Sequence, residues 1–181
     1  MADAERRAAL AGRSITHDWV DVLPAAPASR VSLRAPAESV AALSSALGLT
    51  LPTRPKTSAR EGDRAALWLG PDEWLILDRD GTDLSAALAQ VDAFHSAVDV
   101  SHRNFGITVS GIAAQATLEA GCPQNLSQSV FPVGACSRTL LGKIEIVLWR
   151  TSENEFRVEC WRSFSDYAFT FLAEAARDAV V

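Results

Sequence analysis

Cysteine is scarce in this chain of 181 residues: only Cys122, Cys136 and Cys160 occur, an odd number without a C-x-x-C spacing. That argues against a disulfide framework and for a reducing compartment, the cytoplasm. Histidine is as sparse. His17, His95 and His102 have no His or Cys partner at ligand spacing, so no metal centre is expected. No apolar run approaches the roughly 18 residues of a membrane span. The first twelve positions carry Arg6 and Arg7 without an apolar core, so no signal peptide is expected. Both glycine-rich phosphate fingerprints are missing. Leu141-Gly142-Lys143-Ile144 holds a Gly-Lys pair but lacks the upstream glycine and the following hydroxyl, and reads as a turn between strands. The chain is therefore not expected to hold FAD or NAD by itself. Neither Ser110 nor Ser163 lies in a G-x-S-x-G elbow, and Cys122 has no neighbouring base or cation to make it a thiolate. A surplus of positive charge is also absent. The net charge of -5 gives no pull toward nucleic acid, and the cluster Arg54, Lys56, Arg60, Arg64 is diluted by Glu61 and Asp63 and reads as a solvated loop.

What the sequence does have is apolar material, 48% of its residues, enough to bury a core in one domain or two small lobes. Residues 1–29 lack a clean period and read as an N-terminal arm, with Trp19 available to lie on a partner or on the chain's own body. From Arg30 the pattern sharpens. A strand at 30–33 leads through Pro36 to a helix marked by Val40, Leu43 and Leu47 and stopped by Gly48. Two apolar runs around Gly70-Pro71-Asp72-Glu73 form a hairpin. Leu84, Ala87, Leu88 and Val91 repeat as a second helix with Thr82 as its cap. Strands follow at 97–100 and 105–109, then a short helix from Gly111 to about Ala120. A three-stranded meander covers 139–141, 144–149 and 156–161. Ser163 with Asp166 has the spacing of a capping box. It precedes a helical stripe of Phe164, Tyr167, Ala168, Phe171, Leu172 and Ala175. This order predicts an α+β fold: two related lobes of antiparallel sheet with packed helices, 30–100 and 101–181, either separate or intertwined.

One constellation has the character of a site, Asp99-Val100-Ser101-His102-Arg103 at the end of an apolar strand. It reads equally as a hairpin turn in which Asp99 bonds turn amides or pairs with Arg103. The five tryptophans divide in the same way. Core positions account for most of Trp68, Trp74, Trp149 and Trp161, while one or two on outward faces would make a patch for a partner. Arg103, Arg138 and Arg162 serve either as interface residues or as intramolecular ion pairs.

Several stretches line up in order with one family. Leu67-Trp68-Leu69-Gly70-Pro71-Asp72-Glu73-Trp74-Leu75, Val98 to Arg103, Gly121-Cys122-Pro123-Gln124-Asn125-Leu126, Phe131-Pro132-Val133-Gly134 and Arg162 to Tyr167 together resemble the gamma subunit of heterotetrameric sarcosine oxidase, over about residues 60–175. More distantly, Val98-Asp99-Val100-Ser101 followed by Ile107-Thr108-Val109-Ser110-Gly111 is similar to the folate-binding glycine-cleavage T-protein superfamily. The turn that in that superfamily places paired acidic residues near folate is here Gly142-Lys143-Ile144-Glu145-Ile146, with Glu145 alone. Its missing partner argues against independent folate catalysis.

The resemblance implies a T-protein-like fold that has lost its active site and acts as a scaffold, with no catalytic, cofactor or metal residues of its own. It implies alpha, beta and delta subunits as partners, with FAD, FMN, NAD, zinc and tetrahydrofolate held by them. It also implies an assembly that oxidises sarcosine to glycine, yielding formaldehyde or methylenetetrahydrofolate and hydrogen peroxide. No nucleic acid or membrane partner is implied. On this reading Trp68, Trp74, Asp99, Arg103, Arg138, Glu145 and Arg162 belong to an interface or a vestigial folate pocket. The alternative is a stand-alone folate-binding or aminomethyltransferase-like protein with Asp99, Arg103 and Glu145 lining a pocket at the lobe junction. Related folds also occur as accessory domains in tRNA modification, against which the acidic balance weighs.

Overall fold

Alternation in the last strands shows how the molecule is layered. In Ile144–Ser152, Ile144, Ile146 and Leu148 point into one core while Val147 and Trp149 point into another. In Glu155–Trp161, Phe156, Val158 and Cys160 join the first core, and Arg157 and Glu159 are buried on the opposite face. A strand with a period of two that is buried on both sides must sit between two layers. The structure, a computed structural model, describes residues 9–179.

Among the described residues eleven strands form two antiparallel sheets. They are β1 (Ile15–Thr16), β2 (Asp21–Pro24), β3 (Ser29–Arg34), β4 (Ser58–Glu61), β5 (Arg64–Gly70), β6 (Glu73–Asp78), β7 (Ser96–Asp99), β8 (Asn104–Ser110), β9 (Cys136–Leu141), β10 (Ile144–Ser152) and β11 (Glu155–Trp161). The helices are α1 (Val40–Leu47), α2 (Leu84–Ala89), α3 (Ala114–Glu119) and α4 (Ser165–Asp178). One sheet runs β4-β5-β6-β3-β7 and the other β9-β10-β11-β8-β2-β1. The two orders correspond over five strands, β3 with β8, β4 to β6 with β9 to β11, and β7 with β2, while β1 has no counterpart. The lobes thus share one topology, except that the second draws its last inner strand from the N-terminal segment.

That correspondence alters the reading of residues 1–29. Residues 15–16 and 21–24 are strands of the second sheet, with Val22 opposite Val109 in β8 and Val20 and Val22 buried in its core. Trp19 stays half exposed; residues 1–8 lie outside the described part. The expected 97–100 and 105–109 pair is also not a hairpin. β7 pairs with β3 in one sheet and β8 with β2 and β11 in the other, so Val100 to Arg103 is the crossover between lobes.

Local signals place the helices. Gly48 takes φ 61° at the end of α1, where its amide bonds Ser45 O; this left-handed stop needs a residue without Cβ. α2 is capped by Asp83, which accepts from Ala86 N at 3.0 Å, and not by Thr82, whose hydroxyl turns back to Asp80. The Ser163 capping box does not form, because Arg162–Phe164 is a single 3-10 turn and α4 begins at Ser165. The buried stripe of α4 is correspondingly rotated. It runs through Ala168, Phe169, Leu172, Ala173 and Ala176, leaving Phe164 and Tyr167 at the surface.

α1 and α2 cover the outer face of the first sheet, over Val31, Leu33, Ala66, Trp74 and Ile76. α3 and α4 cover the outer face of the second, over Ile107, Val109, Ile146, Leu148, Phe156 and Val158. The inner faces meet through a smaller cluster: Ala65, Leu67, Leu75, Leu77, Val100, Cys136 and Trp149. Backbone bonds stitch this seam, with Cys136 N donating to Lys56 O at 3.1 Å and Ser58 N to Gly134 O at 3.0 Å.

Candidate functional site

The seam carries the charges that a strand reading assigns to solvent. β3 presents Val31 and Leu33 to the helices, so Arg30, Ser32 and Arg34 face the second sheet. β11 presents Arg157 and Glu159 back. Glu159, 1% exposed, accepts from Arg30 Nε at 2.6 Å and Nη2 at 3.1 Å, and from Arg157 Nε at 2.7 Å. The carboxylate thereby bridges two guanidinium groups from different lobes, with Arg157 Nη2 buried and unpartnered. Gly106 makes room for it. A Cβ there would stand 2.7 Å from Glu159 Oε1 and 3.0 Å from the Ala25 Cβ, so this close approach requires glycine.

Beside the triad a cleft of about 370 Å³ opens between the sheets. Arg138 on β9 crosses it. Its Nη2 donates to Glu73 Oε1 at 2.5 Å and its Nη1 to Oε2 at 3.3 Å, while its Nε lies 3.7 Å from Glu145 Oε1. The bond to Glu73 holds the Arg138 guanidinium above its ordinary pKa, against a smaller opposing effect of burial. Arg34 pairs with Asp72 at 3.4 Å on the same side. Both carboxylates that reach the cleft from the turns, Glu73 and Glu145, thus face an arginine. A carboxylate already committed in this way is poorly placed to act on a substrate nitrogen.

Arg103, Arg138 and Glu145 share the cleft. Asp99 does not join them: its Oδ1 accepts from Ser101 N at 2.7 Å, and this bond, with a second contribution from the Ser101 side chain, lowers its pKa. Ser101 Oγ in turn accepts from Arg30 N at 2.8 Å, so Asp99 shapes the turn that seats the buried triad. Asp99 and Arg103 are not paired; the Arg103 guanidinium lies 5.5 Å from the Trp161 ring centroid. Trp68 and Trp74 stand opposite each other on β5 and β6 and pack into the helix-side core, where Trp74 Nε1 donates to Pro52 O at 2.7 Å. Arg162 lies outside the cleft, at the surface beyond β11.

Sequence reasoning missed Glu73, taken as part of a turn, and Arg30, Arg157 and Glu159. A partial signal was present for the last three: Arg30 alternates with Val31 and Leu33, and Arg157 and Glu159 alternate with Phe156, Val158 and Cys160. All three cysteines are free and buried, and burial pushes the Cys136 and Cys160 thiols up to about 12. Among the described residues no group of three His, Cys, Asp or Glu could hold a metal ion, and no helix is long and apolar enough to cross a membrane.

The profile of the sarcosine oxidase gamma subunit family matches residues 32–178. The chain belongs to that family. Sarcosine oxidase subunit gamma of Corynebacterium sp. (strain P-1) is 32% identical over 177 residues, 95% of this chain and 87% of that protein. The subunit gamma of Arthrobacter sp is 34% identical over 154 residues, 82% and 75% of the two chains. A chain of the heterotetrameric sarcosine oxidase from Corynebacterium sp. U-96, solved in complex with pyrrole 2-carboxylate, superposes with a TM-score of 0.86 at 28% identity, over 93% of this chain and 89% of that one. Glycine cleavage system aminomethyltransferase T from Bartonella henselae superposes with a TM-score of 0.68 at 12% identity, over 88% of this chain and 46% of that one; at that identity the likeness is one of fold. The two-sheet α+β architecture described above is therefore shared with about half of that protein.

Proposed function

We propose that this chain is the gamma subunit of a cytoplasmic heterotetrameric sarcosine oxidase and serves it as a non-catalytic scaffold. The observation that carries the scaffold role is the state of the cleft. Where a T-protein-like fold would need free carboxylates, Arg138 engages Glu73 and Glu145, and Asp99 is committed to its own turn. Alpha, beta and delta subunits are its partners. The oxidation of sarcosine to glycine, the one-carbon product and hydrogen peroxide belong to them, as do FAD, FMN, NAD, zinc and tetrahydrofolate. Three buried free thiols suit the reducing compartment this assignment requires.

Docked in such an assembly, the subunit would bury at least ~1,200 Å² in total against its neighbours. The test is co-expression of the full chain with the flavin-bearing subunits, followed by size-exclusion chromatography. The expected outcome is one peak containing this chain and the flavin absorbance. A chain that elutes alone at its monomer volume overturns the assignment, and saturable folate binding by that isolated chain would favour the stand-alone alternative.

A further inference from the structure

The end of β11 differs from the rest of the surface. The strand runs without a loop into the 3-10 turn ahead of α4, so Trp161, Arg162, Ser163 and Phe164 are four consecutive exposed residues. Trp161 is 48% and Phe164 38% exposed, yet their rings stack with centroids 5.9 Å apart and planes 11° from parallel. Arg103, from the crossover between lobes, lies over the Trp161 ring, and Arg162 N donates to Arg103 O at 2.6 Å. The crossover is thus bonded to the strand end. The patch is a rigid layer of guanidinium, indole and phenyl groups on a tied backbone, not a set of loose side chains. Pre-organised Trp and Arg of this kind are the groups that dominate buried interfaces.

Charge indicates what covers it. Among the described residues, neither Arg103 nor Arg162 has a carboxylate partner, whereas Arg34 and Arg138 of the adjoining cleft are both ion-paired. A further apolar side chain is exposed on the first sheet. Register places Val98 opposite Ser32, on the face of the first sheet that looks into the cleft. Val98 is exposed there, on a strand whose outer edge pairs with nothing among the described residues. A phosphate backbone or an anionic lipid surface is disfavoured as occupant by the net charge of -5.

We infer that the Arg103–Trp161–Arg162–Phe164 patch is the face by which this subunit docks, and that its occupant is a carboxylate-bearing segment of a partner subunit. The carboxylates of that segment meet Arg103 and Arg162, and its apolar side chains cover Trp161 and Phe164. This rests on the subunit assignment proposed above.

The test uses the whole assembly, purified through an affinity tag on a flavin-bearing subunit, with this chain carried as wild type, as Arg103→Glu/Arg162→Glu, as Trp161→Ala, or as Arg54→Glu. The last reverses an exposed charge in the 52–57 loop and serves as the control. The double reversal is expected to lower the retained chain at least tenfold and Trp161→Ala several-fold. Arg54→Glu should be retained like wild type. The thermal midpoint of each isolated variant shows that the chain still folds, and Arg103→Lys/Arg162→Lys, which keeps the charge, should restore most of the retention. Retention of the double reversal at wild-type level overturns the surface while leaving subunit membership intact. Absence of the wild-type chain from the complex overturns membership, and this surface with it. A concentration-dependent dimer of the isolated chain, abolished by the double reversal, would assign the patch to a second copy and overturn the partner.

Discussion

The outer and inner faces of the two sheets are built on different principles. Outside, each sheet buries Val, Leu, Ile and aromatic side chains under two helices. Inside, the sheets meet through a small apolar cluster beside the Arg30–Glu159–Arg157 triad and the Arg138–Glu73 pair. The outer cores supply the non-directional stabilisation that scales with apolar area. The seam supplies direction instead. A carboxylate shared by two guanidinium groups is satisfied in only one relative placement of the lobes, whereas apolar faces can slide.

The contrast breaks most visibly at Glu159. Glu159→Ala leaves Arg30 and Arg157 buried without their counter-charge, which is expected to cost about 3–5 kcal/mol in urea unfolding. Replacing all three charges by Met and Leu should restore much of that loss, because burying the ions is itself costly. Leu43→Ala in α1, fully buried in the first outer core, is expected to cost about 2–5 kcal/mol, with no rescue from any charge change. Gly106→Ala pushes a methyl against the Glu159 carboxylate and Ala25, with an expected loss of about 1–3 kcal/mol; combined with Glu159→Ala its cost should shrink, and a double-mutant cycle reads that coupling. Asp99 gives the smallest effect and the one that depends on pH. Its folded pKa is lowered by the bond from Ser101 N, so its contribution is present above the unfolded carboxylate value of ~3.9 and is lost as pH falls through the lowered value. Asp99→Asn should therefore flatten the fall of the urea midpoint across that acidic window, while leaving the slope near neutrality unchanged.

Much of the fold was legible because the relevant signals are local. Gly48 stops α1, the Gly70 to Glu73 turn closes a hairpin, and the alternation in β10 and β11 marks their faces. The failures are places where a long-range partner decided the outcome. Ile15 to Pro24 lacks strong periodicity because β2 is short, and only its place beside β8 completes the second sheet. The crossover at Val100 to Arg103 has the composition of a hairpin turn, and nothing local tells that its two strands diverge into different sheets. Phe164 and Tyr167 fit a helical stripe by spacing, but the 3-10 turn before Ser165 rotates α4 so that Phe169 fills the core instead. For the cleft, Arg103 and Glu145 could be named from turn positions and Arg138 from the enrichment of arginine at interfaces. Glu73 and Glu159 were visible as ionic residues on their strands, but not their pairing, since their partners lie 65 and 129 residues away.

The non-catalytic reading is tested most directly by incubating the purified chain alone with sarcosine, oxygen and tetrahydrofolate and following hydrogen peroxide. No peroxide above the buffer rate is expected, with production appearing only when the flavin-bearing subunits are added. Sustained, substrate-saturable peroxide formation by the isolated chain would contradict it.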